Sequence, residues 1–201
     1  FSTIKKNGNV NFRLDLEQGV ANMAHVEGLD TKTFSQIGLS DRFATATTGN
    51  WYTFTVPFDM DNGEINSHLF EVRKLTSADV ILKDGEVQLR VKFAKVNEIE
   101  AGVPYIVKAK KTEIRLKSRV FETEKNDIEP ITATTELTDI GYTYKVAMNA
   151  ILDPENVVGT DPATSYIHTY MLSSNSFVQV PAGKTAQNKG YRGWLTITAT
   201  P

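Results

Sequence analysis

The 201-residue sequence contains no cysteine, which excludes a disulfide framework, thiolate metal ligands and thiol catalysis. It has three histidines, and none of them belongs to an HExxH motif or a closely spaced pair that would indicate zinc. Its apolar runs fall short of the roughly 18 residues that a membrane-spanning helix needs. The net charge of −2 argues against a nucleic-acid groove, because such grooves usually carry a basic excess.

Motifs for nucleophilic and phosphate chemistry are missing as well, since the chain has neither a GxSxG elbow nor a glycine-rich phosphate loop. Asp59 and Asp61 begin like a calcium loop, but Phe70 stands where that pattern requires a glutamate. We interpret the two aspartates as part of a turn that their side chains stabilise. Two carboxylates from distant segments could still form a glycosidase site. On this balance the sequence predicts no enzyme, no cofactor and no metal site.

Short alternations of apolar and polar residues dominate what is present. The dipeptide Asp84-Gly85 predicts a two-residue hairpin turn, because both residue types tolerate positive φ. Four apolar residues then alternate with polar ones and should share one buried face: Val87, Leu89, Val91 and Phe93. With the runs on either side, residues 79–108 are typical of a three-stranded meander.

The whole chain is predicted to be all-β, an antiparallel β-sandwich of roughly ten short strands, because strand signals recur every 8–12 residues and helical periodicity is missing. A Thr- and Ala-rich connector at residues 44–49 suggests a boundary. We expect residues 1–49 to form an N-terminal strand and loops packed on the main domain. Residues 50–201 would be the β-sandwich domain.

The aromatic residues are the most suggestive candidates for ligand binding. Trp51, Tyr52, Tyr191 and Trp194 could supply a flat face on which a sugar ring stacks. Large rings fill the cores of sandwiches equally well, and the alternation around Trp194 does not decide which face it occupies. For each of the four rings taken singly, a place in the core is the favoured interpretation.

Four segments, taken in order, are similar to a β-rich module of exported and surface proteins of Bacteroides-type gut bacteria, often found beside leucine-rich repeats. They are WYTFTVPFDM (51–60), IEAGVPYIVK (99–108), YMLSSNSFVQVPAG (170–183) and YRGWLTI (191–197). The last departs from the usual pattern at Gly193-Trp194-Leu195, where a small residue and two aromatics normally follow the arginine. The resemblance implies export, and it transfers no catalytic residues because the module's function is undefined.

The sequence therefore predicts a non-enzymatic, exported β-sandwich module of a cell-surface protein with a binding or display role. The expected partner is a glycan or another surface protein; neither nucleic acid nor a membrane span is expected. Since the chain begins at Phe1, we expect a processed product whose signal peptide would lie upstream. The alternatives are a carbohydrate-binding module, a glycoside-acting enzyme, and an adhesin or pilus-type subunit whose open sheet edge receives a partner's strand.

Overall fold

The fold is all-β, as predicted, with 58% of residues in strands and 5% in helix. The structure is a computed structural model that describes residues 2–6, 9–23, 33–120, 130–137, 141–161 and 166–201. These ranges hold fifteen strands and the helix α1 (Asn62–His68), more strands than the roughly ten predicted. No helix in them has the length and hydropathy needed to cross a bilayer.

The strands, in chain order, are β1 (Ser2–Lys6), β2 (Asn9–Glu17), β3 (Thr33–Ser40), β4 (Trp51–Phe54), β5 (Leu69–Lys83), β6 (Glu86–Lys95), β7 (Tyr105–Ala109), β8 (Ile114–Val120), β9 (Ile131–Leu137), β10 (Tyr142–Ile151), β11 (Val157–Val158), β12 (Ile167–Ser173), β13 (Ser176–Gln179), β14 (Thr185–Ala186) and β15 (Arg192–Thr200).

Three main sheets are formed, which we name by their position in the chain. The N-terminal sheet has the order β1-β2-β3-β8, the central sheet β4-β7-β5-β6 and the C-terminal sheet β13-β12-β15-β10-β9, while β11 and β14 pair separately. Strands β2 and β3 are parallel. The other pairings of the described residues are antiparallel, in agreement with the predicted sandwich-like architecture.

The central sheet is buried on both faces, which makes the packing three-layered. Tyr105 and Val107 of β7 belong to the core shared with the N-terminal sheet. Ile106, between them, belongs to the core shared with the C-terminal sheet, together with Met148 and Leu195. Consecutive residues of a strand point to opposite faces, so the continuous apolar run YIV serves two cores at once.

The predicted meander is wrong in its strand order. Strand β7 pairs with β5 on the edge opposite to β6: Arg73 lies across from Ile106 on one side and from Lys95 on the other. A meander would have placed β7 next to β6. The physical reason is burial, because a strand that is apolar on both faces is best placed inside the sheet, and β7 lies there between β4 and β5.

The predicted hairpin turn is confirmed. Asp84 and Gly85 both have positive φ, 53° and 80°, and they separate the paired residues Lys83 and Glu86. Two central residues with positive φ match the right-handed twist of the flanking strands.

The predicted apolar face of β6 is also confirmed for Leu89, Val91 and Phe93, which are half-buried and pack against the core of the C-terminal sheet. The side chain of Val87 lies outside the described part of the structure. Because β6 is an edge strand, its apolar side chains border a groove and are only partly covered.

The two aspartates of the calcium-like segment cap backbone groups. Asp61 is the N-cap of α1, and its side chain and that of Glu64 form a reciprocal capping box. Asp59 Oδ1 accepts a hydrogen bond from the Ala101 backbone N–H at 2.8 Å. Asp61 therefore stabilises the start of a helix, and Asp59 stabilises the turn that precedes β7.

Residues before the predicted boundary share the N-terminal sheet with a strand that follows it, β8. Strand β3 pairs with β8 from Thr33 opposite Val120 to Leu39 opposite Ile114. Phe43 packs in the core of the N-terminal and central sheets beside Phe54. The division into residues 1–49 and 50–201 stays a prediction.

Buried tyrosine hydroxyls make stability sensitive to alkaline pH. Burial raises the pKa of Tyr105 to about 12, and its hydroxyl accepts a hydrogen bond from the Glu100 backbone N–H. An unfolded tyrosine ionises near pH 10. Because the pKa is higher in the folded state, the contribution of neutral Tyr105 to the free energy of unfolding is fully present below about pH 10. It is lost as the pH rises toward about 12, by at most about 1.4 kcal/mol per pH unit.

We therefore expect urea unfolding between pH 9 and 11 to show a falling free energy of unfolding, and Tyr105→Phe to make the fall shallower. Tyr166→Phe is the control, because this ring is 50% exposed. Equal slopes for Tyr105→Phe and the parent protein would contradict the assignment.

Candidate functional site

Trp51 and Tyr52, two of the predicted ligand-binding residues, are neighbours on β4 and point to opposite faces of the central sheet. The Trp51 ring is half-buried, with Lys108 Nζ 4.7 Å from its centroid. Its backbone N–H donates to Asn175 Oδ1 at 2.7 Å, which attaches the tip of the β12–β13 hairpin. The Tyr52 hydroxyl accepts from the Thr47 N–H at 2.7 Å.

Tyr191 and Trp194 lie elsewhere. Tyr191 is 0% exposed and offers no surface to a ligand; its hydroxyl accepts a hydrogen bond from Asn22 Nδ2 at 2.8 Å. Trp194 is half-buried on the outer face of the C-terminal sheet, because its neighbour Leu195 points into the core. The structure thus does not bring the four rings together on one face, and their role in binding stays a prediction.

A cleft that the sequence did not predict lies at the loops that follow β2, β3 and β10 and precede β15. It has a volume of about 450 Å³. Its walls are mostly polar, and we call it the polar cleft. The polar side chains that line it are Gln18, Asp41, Glu155, Asn156, Gln187, Asn188 and Lys189.

Backbone hydrogen bonds join the loops of the polar cleft. The Gly19 N–H donates to the Lys189 carbonyl at 2.7 Å, and the Glu155 N–H donates to the Asn188 carbonyl at 3.0 Å. Gly190 brings the last loop against the chain after β10, so closely that a Cβ there would lie 2.3 Å from the Leu152 carbonyl oxygen. Paired backbone groups give the cleft a defined shape.

Two arginines lie behind the polar cleft. Arg42 is 5% exposed; its Nη2 donates to the Thr53 carbonyl and its Nε to the Tyr191 carbonyl. Arg192 Nη2 donates to Gln18 Oε1, and Gln18 Nε2 in turn donates to the Asp41 carbonyl at 2.7 Å. Gln18 therefore connects the cleft to the guanidinium of Arg192.

The positive charge of these arginines is poorly compensated. Burial lowers the pKa of Arg42, and the nearby charge of Arg192 lowers it further. Burial likewise lowers the pKa of Arg192. Across the described ranges, neither guanidinium forms an ion pair with an Asp or Glu. A buried charge without a partner is costly, so an anion placed nearby would be favoured.

Two buried donors also lack acceptors. Asn188 is 1% exposed, and its Nδ2 is buried without a hydrogen-bond partner, as is Arg192 Nε. Leaving a buried donor unpaired costs about 1–3 kcal/mol. Asp41 and Tyr191 adopt positive φ, 59° and 54°, which non-glycine residues rarely do. Unpaired donors and backbone strain are features that cluster at functional sites.

Sequence reasoning missed this site because its parts are far apart in the chain. Gln18 and Arg192, which contact each other, are separated by 174 positions. Polar residues in loops carry no periodic signal. The one pointer in the sequence was the Tyr191-Arg192 pair at the start of the last strand, which the family resemblance had already marked.

In comparisons with protein-family models, curated proteins and solved structures, no match to this chain was found. The resemblance to exported Bacteroides-type surface modules therefore stays a prediction.

Proposed function

We propose that this chain is a non-enzymatic binding module of an exported cell-surface protein and that it binds a glycan in the polar cleft. The observation that carries the proposal is the mixture of exposed groups in one cleft: the carboxylates of Asp41 and Glu155, the amide of Asn156 and the ammonium group of Lys189. Sugar hydroxyls donate and accept hydrogen bonds together, so they match such walls.

The two carboxylates of the polar cleft support a binding role over hydrolysis. Asp41 and Glu155 are both exposed to solvent. In glycosidases the general acid is held in an apolar surrounding that keeps it protonated. Exposed carboxylates are instead suited to accepting hydrogen bonds from ligand hydroxyls.

We expect Asn156→Ala and Glu155→Ala each to weaken glycan binding about tenfold, because each removes one or two hydrogen bonds to the ligand. Both side chains line the polar cleft. Binding would be screened on a glycan array and quantified by calorimetry. Gln88→Ala, an exposed substitution on β6, is the control that leaves binding unchanged.

Other outcomes would replace the proposal. Loss of binding in Trp51→Ala or Trp194→Ala, with the cleft variants unaffected, would favour a carbohydrate-binding module that stacks sugars on aromatic rings. Glycan turnover that disappears on replacing Glu155 or Asp41 would make the chain an enzyme. An array without any bound glycan would contradict glycan recognition altogether.

A second candidate, the adhesin or pilus-type subunit, is favoured by a different surface. Strand β6 is an edge of the central sheet and borders an apolar groove of about 620 Å³, lined by Leu89, Val91, Phe93 and Phe177. A partner's strand could pair with that edge. Concentration-dependent assembly in analytical ultracentrifugation, lost in Val91→Lys, would support this role.

A further inference from the structure

The charges around the polar cleft differ in how strongly water screens them. Arg42 is 5% exposed and lies close enough to Arg192 for their charges to interact. Asp41 and Glu155, on the cleft wall, are exposed, and so is Lys189. Screening by water weakens the fields of exposed groups, while buried charges act at lower dielectric. Water therefore screens the positive charge of the arginine pair less than it screens the carboxylates of the cleft wall.

Gln18 lines the polar cleft and also contacts Arg192. Its Oε1 accepts the hydrogen bond from Arg192 Nη2, in the position where a carboxylate would usually pair with a buried arginine. A neutral amide satisfies one N–H group and leaves the charge uncompensated. Arg192 Nε and Asn188 Nδ2, both buried, remain without an acceptor.

We propose that the ligand of the polar cleft is an acidic saccharide, whose carboxylate lies at the Gln18 end and compensates the charges of buried Arg42 and half-buried Arg192. This inference rests on the proposed glycan-binding function. The carboxylate supplies negative charge at this end of the cleft, and among the described residues neither arginine has an acidic partner. The sugar hydroxyls donate to Asp41 and Glu155 at the exposed wall, so one ligand satisfies both kinds of group.

The decisive variant is Gln18→Glu, which is nearly isosteric and places a carboxylate beside Arg192. We expect its melting temperature to stay within about 3 °C of the parent's, because the new ion pair with Arg192 offsets the lost hydrogen bond from Gln18 Nε2 to the Asp41 carbonyl. Gln187→Glu is the matched control: it adds the same charge to the cleft at an exposed position. It should leave the melting temperature unchanged.

Binding would be measured by calorimetry with a galacturonic acid trimer and with an uncharged galactose trimer of the same linkage. The parent protein should bind the acidic trimer at least tenfold more tightly. Gln18→Glu should weaken the acidic trimer at least tenfold and leave the neutral trimer within threefold, while Gln187→Glu should weaken the acidic trimer by threefold or less.

The outcomes separate this inference from the proposed function. Equal affinity for both trimers, unaltered by Gln18→Glu, would overturn the acidic ligand and leave glycan binding standing. An acidic-trimer affinity that Gln18→Glu leaves unchanged would show that the ligand carboxylate does not lie beside Arg192 and would also overturn it. Failure of both trimers, together with a glycan array without any bound sugar, would reject the function and the inference together.

Discussion

Replacing Gly190 by alanine is expected to lower the free energy of unfolding by about 3 kcal/mol or more. Gly190 has φ +85°, a conformation that costs an alanine about 1–2 kcal/mol. The added Cβ would also lie 2.3 Å from the Leu152 carbonyl oxygen and 3.1 Å from its carbon. Both of these are backbone atoms, so the two loops must move apart.

Gly183→Ala is the matched control for this substitution. Gly183 also has positive φ, +69°, but no atom lies within 4 Å of the place that a Cβ would occupy. Gly183→Ala should lower the free energy of unfolding only by the cost of the positive φ, about 1–2 kcal/mol. Urea unfolding of both variants measures the difference, and equal losses would mean that the close approach at Gly190 is not maintained in solution.

The same substitution should affect the polar cleft. Gly190 N–H donates to Asn188 Oδ1 at 3.0 Å, and the Asn188 carbonyl accepts from the Glu155 N–H. Displacing this loop separates groups that the proposed ligand must contact together. We therefore expect Gly190→Ala to weaken glycan binding even at temperatures where the variant is still folded.

Phe54→Ala is expected to cost about 3–5 kcal/mol, the usual range for deleting a fully buried phenylalanine ring. Phe54 is 0% exposed, and its ring centroid lies 5.5 Å from that of Phe43. The cavity would open between the central and N-terminal sheets, where neighbouring side chains relax only in part. The loss would be read from chemical unfolding followed by circular dichroism.

Phe70→Ala offers the same chemical change on strand β5 of the same sheet, at a ring that is 56% exposed. It should cost less than about 1 kcal/mol, since little apolar surface is returned to water. Similar losses for the two variants would contradict the described burial. Phe43 precedes residue 50 and Phe54 follows it. If residues 1–49 unfold together with the rest, the losses of unfolding free energy in Phe43→Ala and Phe54→Ala should not add up in the double variant.

The sequence by itself determined the local features of this protein. Alternation at Leu89, Val91 and Phe93 predicted a strand and its apolar face, and Asp84-Gly85 predicted the turn that joins β5 to β6. These features follow from the geometry of one or two residues, because side chains alternate along any strand and positive φ favours particular residue types. The all-β class follows from repeating such signals along the chain.

Only the tertiary structure decided which strands are neighbours and which polar groups meet. Periodicity indicates that a side chain is buried but not which sheet it packs against. The sequence therefore predicted β7 beside β6 although it pairs with β5, and it did not predict that the central sheet contributes to two cores. Tyr191 was compatible with a ligand platform as well as with the favoured core position, and its burial places it in the core. Gln18 and Arg192 meet across 174 positions through long-range packing, which local patterns do not encode.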